Sequence, residues 1–214
     1  MRQETIIVAD DHPLFRDALK LAIMRTAPQA RVIEASSIAE TLAAVRDEPD
    51  IDLILLDLMM PDANGFAGLA SVHSERPDAP IVVVSAAEAA AAAARSREYG
   101  AIGFLNKGAT LDAISSVIRR ALAGIREIEG WAPREPDPTL DDMARRIRTL
   151  TPAQLRILLG LLDGRLNKQI AYEMSISEAT VKAHMTAVFR KLNVRNRTQA
   201  VLAARALSLE PATL

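Results

Sequence analysis

The chain of 214 residues contains no cysteine. That excludes a disulfide framework, a thiolate metal site and a cysteine nucleophile. It also lacks any run of 18 apolar residues, so no segment reads as a membrane span. The opening "MRQETIIVADD" enters a strand-like run directly, with nothing that reads as a signal peptide. A cytoplasmic protein with no membrane partner is the expectation. The single tryptophan, Trp131, falls in a proline-bearing stretch, where it either packs that stretch against a domain or stands exposed. What the chain does have is apolar side chain, 50% of its residues, enough for a packed core and for one large or two small domains.

The net charge of −1 conceals an asymmetry. Residues 1–130 hold 13 Lys and Arg against 19 Asp and Glu, and residues 141–214 hold 12 against 6. Opposite signs in the two halves suggest two domains with different partners, the basic one suited to nucleic acid. The alternative is a chance split of ordinary solvated surface.

The first 125 residues alternate short β-like runs with helical patterns. The runs are "TIIVAD" (5–10), "RVIEA" (31–35), "DLILLD" (52–57), "PIVVVS" (80–85) and "AIGFLNK" (101–107). Short, unbroken and rich in Ile and Val, they read as strands covered on both faces. The last helical segment sets Leu111, Ile114, Ile118, Ala121, Leu122 and Ile125 in one apolar stripe. Five βα units imply a parallel sheet with helices on both sides. Pro133, Pro136 and Pro138 mark a stiff linker. The expected division is 1–126, a linker over 127–142, and a helical domain over 143–214. In the last, "TPAQLRILLGLLDG" carries a Thr cap, Pro at the first helical position and a closing Gly. Helices also follow from "NKQIAYEMSI", from "SEATVKAHMTAVFRKLNV" capped by Ser177, and from "NRTQAVLAARAL".

In open parallel sheets, ligands gather beyond the carboxyl ends of the strands. Asp10 and Asp11 end the first run, Asp57 the third, Ser85 the fourth and Lys107 the fifth. Singly, a strand-terminal Asp is most often a turn or cap residue, and a lone Lys is usually just solvated. The ordered set makes coincidence improbable. Clustered carboxylates call for a cation, and oxygen-only ligands suit Mg²⁺. A carboxylate can also act as a nucleophile on phosphorus. Aspartate-based phosphatases resemble this mouth but carry an acid two positions after the nucleophile. Met59 stands there, so a long-lived phosphate, and hence a signal rather than an enzyme, is the favoured expectation.

"VADDHPLFRDAL", "LLDLMMPDANG", "VVVSA" and "GAIGFLNKGA" together resemble a response-regulator receiver domain, and residues 150–201 resemble the LuxR-type helix-turn-helix. The combination is that of NarL/FixJ-type two-component response regulators. The resemblance implies a flavodoxin-like, doubly wound (βα)5 receiver joined to an all-α helix-turn-helix domain of four helices. It implies that Asp57 accepts a phosphoryl group from a sensor histidine kinase. Asp10, Asp11, Asp57 and the backbone carbonyl of Met59 would hold Mg²⁺; Ser85 and Lys107 would contact the phosphate, with Phe104 as the switch aromatic. A DNA-binding regulator whose receiver no longer takes phosphate is the alternative. Three departures from the family pattern stand out, the first being an alanine run in place of the polar start usual in the fourth helix, a surface the family uses for output. Gly108 follows Lys107 where many receivers have Pro or Asp, and Gln154 replaces a usual Glu, so an ion pair of the first helix is expected to be lost.

A recognition helix lies in the major groove with polar side chains on bases and charges on phosphates. The helix over 177–192 offers Thr180, Lys182, His184, Thr186 and Arg190, and Asn167 and Lys168 begin the supporting helix. By resemblance, Lys182 and Thr186 face the groove and Ala183 makes an apolar contact. Double-stranded DNA is the expected partner, read by a homodimer through the "TQAVLAARAL" helix, with RNA polymerase as a further candidate. The competing reading is a helical protein-interaction module.

Overall fold

The computed structural model describes residues 2–63, 65–86, 89–126 and 138–206. Five strands form one parallel sheet: β1 (Thr5–Ala9), β2 (Arg31–Ala35), β3 (Leu53–Asp57), β4 (Ile81–Ser85) and β5 (Gly103–Asn106). Their order is β2-β1-β3-β4-β5, the flavodoxin-like arrangement, with its reversal between β1 and β3. Every residue of β1, β3 and β4 is buried, which is what continuous apolar runs require.

The crossovers are α1 (Pro13–Thr26), α2 (Ile38–Asp47), α3 (Phe66–Glu75) and α4 (Ala89–Glu98), with α5 (Leu111–Leu122) closing the unit. The pleat sorts the strand side chains into two cores. Ile6, Val8, Leu53, Leu55, Val82 and Val84 pack with Leu19 and Ile23 of α1 and Ile114 and Ile118 of α5. Ile7, Ile54, Leu56, Ile81, Val83 and Phe104 pack on the other side with Val45 of α2 and Leu69 and Val72 of α3. Each such side chain contributes about 1.5–3 kcal/mol when fully buried.

Ile125 is not part of the α5 stripe. The helix turns out at Gly124 (φ +79°), where Gly124 N–H bonds to Ala121 O and Ile125 N–H to Arg120 O, leaving Ile125 39% exposed. This is a Schellman ending, and it takes the last apolar residue off the helical face.

The second unit comprises α6 (Pro138–Arg148), α7 (Pro152–Leu162), α8 (Asn167–Glu173), α9 (Glu178–Leu192) and α10 (Arg197–Ala206). Residues 138–142, expected as linker, are helical: a proline suits the first turn, where its missing N–H has no partner to lose. Trp131 and the other two linker prolines lie outside the described residues. Thr151 caps α7 reciprocally with Gln154, and Ser177 Oγ accepts from Thr180 N–H at the start of α9. Between α8 and α9 the chain turns at Ser175, which adopts φ +53°.

The two units touch. α3 packs on α6 and α7, and α4 on α6. Ala144, Ile147, Leu150, Leu155 and Leu158 join the apolar cluster of the α2–α4 side.

Candidate functional site

The register explains why distant residues meet. Ala9 pairs with Leu56, so Asp10 and Asp57 come next, side by side, beyond the ends of β1 and β3. Both follow the pleat toward the α1/α5 face. Each is 1% exposed. Lys107, just past β5, reaches back between them: its Nζ lies 2.7 Å from Asp10 Oδ2 and 2.9 Å from Asp57 Oδ2. Burial works against the ammonium charge, but the two carboxylates outweigh it and hold Lys107 above the ordinary lysine range. Phe15 adds a ring face 5.0 Å from the same nitrogen.

Backbone donors fix the carboxylates. His12 N–H donates to Asp10 Oδ1 (2.8 Å) and Met59 N–H to Asp57 Oδ1 (3.0 Å), while Arg16 clamps the carbonyl of Asp10 (2.7 Å). Gly108 N–H is held by Asn106 Oδ1 at 2.7 Å, which closes the turn carrying Lys107. Asp57 and Lys107 open onto a cleft of about 380 Å³ whose rim includes His12, Leu14, Phe15, Met59 and Ala86. The rim is apolar and open: Leu14 is 85% and Met59 63% exposed.

Ser85 and Phe104 stand on the other face. Ser85, fully buried, pairs in register with Asn106, and Phe104, 4% exposed, pairs with Val83 in the α2–α4 core. The pleat thus separates the expected site residues. Asp10, Asp57 and Lys107 form one charged knot, and Ser85 and Phe104 lie behind it, toward the side that meets the helical unit.

His12 was not among the expected residues. Its ring nitrogen joins carboxylate oxygens of Asp10, Asp11 and Asp57, all within 4.8 Å of one another. Asp10 Oδ2 in that group is met by Lys107, whereas Asp11 Oδ1 is buried without an aligned hydrogen bond. A cluster of carboxylates with a buried oxygen left without a hydrogen bond fits a hard divalent cation.

On the basic unit, Lys182, Ala183, Thr186 and Arg190 lie on an exposed face of α9. Thr180 is half-buried, its hydroxyl 2.8 Å from Ser177 Oγ in the cap, and Thr186 Oγ1 bonds back to Lys182 O. His184 falls between Val181 and Val188, both buried, so it sits on the flank toward the core and not with Lys182. Asn167, half-buried, and Lys168, exposed, begin α8. The apolar residues behind this surface divide. Ile170, Ala171 and Val181 pack with Ile157 and Leu161, flanked by Met174 and Ile176, whereas Val188 belongs to the cluster shared with the receiver side. At Gln154, where an ion pair was expected to be lost, the side chain accepts a hydrogen bond from Lys191 Nζ at 2.8 Å.

A doubly wound sheet with an acidic mouth, carrying a helix-turn-helix unit, defines a receiver-type regulator. Residues 6–119 match the family model for the response regulator receiver domain, and residues 148–204 that for bacterial regulatory proteins of the luxR family. The chain is 38% identical over 207 residues to the glycerol metabolism activator of Pseudomonas putida, covering 93% of this chain and 94% of that protein. It is 30% identical over 202 residues to the nitrate/nitrite response regulator protein NarL of Escherichia coli (strain K12), covering 92% and 93%. The structure of the response regulator StyR matches at 28% identity and a TM-score of 0.50, over 96% of this chain and 100% of that one. This chain belongs to the NarL-type response regulators, transcription regulators that join a receiver to a LuxR-type DNA-binding domain. Among the described residues no helix is long and apolar enough to cross a membrane.

Proposed function

We propose that Asp57 accepts a phosphoryl group from the phosphohistidine of a cognate sensor kinase and that this controls binding of double-stranded DNA by α9. A carboxylate oxygen of Asp57 forms the new bond to phosphorus while the phosphorus–nitrogen bond breaks and the leaving imidazole takes up a proton. The observation that carries this reading is the knot itself: two almost fully buried carboxylates from different strands share one ammonium at the open end of the sheet.

Lys107 already pairs with Asp57 and is placed to follow charge onto a phosphoryl oxygen. Met59 N–H orients the nucleophile through its other oxygen. Asp10, Asp11, Asp57 and the Met59 carbonyl are the residues that would hold Mg²⁺, which supplies charge neutralisation at the transferring phosphoryl group when bound. The residue two places after the nucleophile is Met59, with no group to activate water, which favours a lasting aspartyl phosphate.

A phosphoryl group brings about −1.5 to −2 charge. Moving a ~1:99 population to ~99:1 takes roughly 5.5 kcal/mol of differential interaction. Ser85 and Phe104, behind the knot and toward α3, α4 and the helical unit, are the residues through which that energy is read. On the DNA side, Lys182 and Thr186 address the groove, Ala183 makes an apolar contact and Arg190 meets phosphate. A homodimer would place two such helices on half-sites about 34 Å apart or a multiple of that.

The test is labelling with a small phosphodonor and Mg²⁺, followed by intact-mass measurement. One phosphoryl group is expected on the wild type and none on Asp57→Asn. Equal labelling of the variant would overturn the assignment, and steady turnover of a phosphoester would point to a hydrolase.

A further inference from the structure

We propose that His12 supplies an imidazole nitrogen to the divalent-cation site and biases it toward first-row transition ions, Mn²⁺ and Ni²⁺, over Mg²⁺. The inference rests on the reading that Asp10, Asp11 and Asp57 hold a cation. It adds a ligand of different chemistry to that set.

Three observations carry it. His12 Nδ1 lies 2.7 Å from Asp11 Oδ1 and 3.3 Å from Asp10 Oδ1. An octahedral ion with ligands at about 2.1 Å separates neighbouring ligand atoms by roughly 3.0 Å, so both spacings suit two donors on one ion. Second, the shorter approach is not an aligned hydrogen bond, since Asp11 Oδ1 is buried with no such partner. Third, the side chain takes no part in capping α1. His12 is the N-cap of α1, yet its side chain makes no capping bond; its backbone N–H holds Asp10 and its carbonyl accepts from the N–H groups of Phe15 and Arg16.

The chemical consequence follows from donor preference. Carboxylates and carbonyls alone suit Mg²⁺, whereas imidazole raises affinity along the series from Mn²⁺ to Ni²⁺. A pocket of three carboxylates and one imidazole therefore takes Mg²⁺ through its oxygens and the transition ions through oxygens and nitrogen together.

Titration calorimetry of the full-length, tag-free chain with MgCl₂, MnCl₂ and NiCl₂ tests this on wild type, His12→Ala, His12→Asn and Asp11→Asn. Removing the imidazole is expected to weaken Ni²⁺ by ~10-fold or more and Mn²⁺ by a smaller factor, with Mg²⁺ within about twofold. Nitrogen hyperfine coupling in pulsed EPR of bound Mn²⁺ should vanish in His12→Ala. His73 and His184 are present in both proteins and cancel. The proposal is overturned if all three ions weaken equally, if none does, or if the nitrogen coupling persists in the variant. Asp11→Asn separates the two levels: retained Mg²⁺ binding there overturns the acidic site and the His12 ligand with it, whereas its loss together with unchanged ion ratios in His12→Ala overturns only the ligand.

Discussion

The receiver mouth and the exposed face of α9 handle charge in opposite ways. In the mouth, Asp10 and Asp57 are almost fully buried and share Lys107. On α9, Lys182 and Arg190 stand in solvent and, among the described residues, make no ion pair. A buried charge depends on each partner, because losing one leaves another stranded in low dielectric. An exposed charge costs the fold nothing and acts only when a phosphate arrives. One surface stores electrostatic energy and the other waits to spend it.

Lys107→Ala should give the largest break in that contrast. It leaves two buried carboxylates facing each other, at a cost of about 3–5 kcal/mol in urea unfolding without divalent ions. Adding Mg²⁺ should restore more stability to the variant than it adds to the wild type. A loss under ~1 kcal/mol, the size of a surface pair, would mean that water reaches the knot.

Lys182→Ala is the opposite case. Unfolding free energy should change by less than ~0.5 kcal/mol. The slope of log affinity for DNA against log salt should fall by about 0.9 if the side chain neutralises one phosphate. If it reads a base instead, sequence preference will relax while the slope holds.

These two sites were unequally legible in the sequence. Asp10, Asp57 and Lys107 could be placed together because strand ends are marked by where apolar runs stop, and a parallel sheet brings those ends to one rim. Their division from Ser85 and Phe104 depends on pleat parity, which needs the register. His12 escaped notice because a residue after two acids reads as turn, and only the built loop shows its nitrogen facing Asp11. His184 was grouped with Lys182 by residue type, whereas its spacing from Val181 and Val188 puts it on the core flank. Only the first part of α6, residues 138–142, is hidden by prolines and charge, whereas Met143, Ala144 and Ile147 already carry the helical pattern of the rest. The packing of α3 on α6 and α7 has no local signature, since it is decided by shapes far apart in the chain.

That contact holds the next effect. His73 on α3 lies against Gly100, where φ is +98° and an added Cβ would come within 2.6 Å of the ring. Burial, then the charge of Arg148 on α6, pushes His73 below the ordinary histidine range, with Asp78 opposing. The folded protein thus prefers the neutral ring. Below pH ~6.5 the unfolded chain binds a proton that the folded one resists, so this contribution is present above that pH and lost as pH falls through the depressed value. Unfolding midpoints at pH 7.5 and 5.5 should separate more for wild type than for His73→Gln, and Arg148→Ala should narrow the gap. Equal gaps in all three would show that the ring is solvated.

The smallest effect lies in the turn of the helix-turn-helix, away from both charged sites. Ser175 holds φ +53° so that its N–H reaches Tyr172 O and Ile176 N–H reaches Ala171 O, closing α8. Asn193 ends α9 in the same way at φ +55°, with Val194 N–H on Phe189 O. Asparagine tolerates this left-handed region better than serine does. Ser175→Gly should therefore raise stability by about 0.5–1 kcal/mol, with a smaller gain for Asn193→Gly. Because the turn carries no charge and the exposed side chains of α9 are unchanged, the salt slope of DNA binding should stay that of the wild type. A destabilised Ser175→Gly would mean that the serine side chain holds the turn by more than its backbone angle.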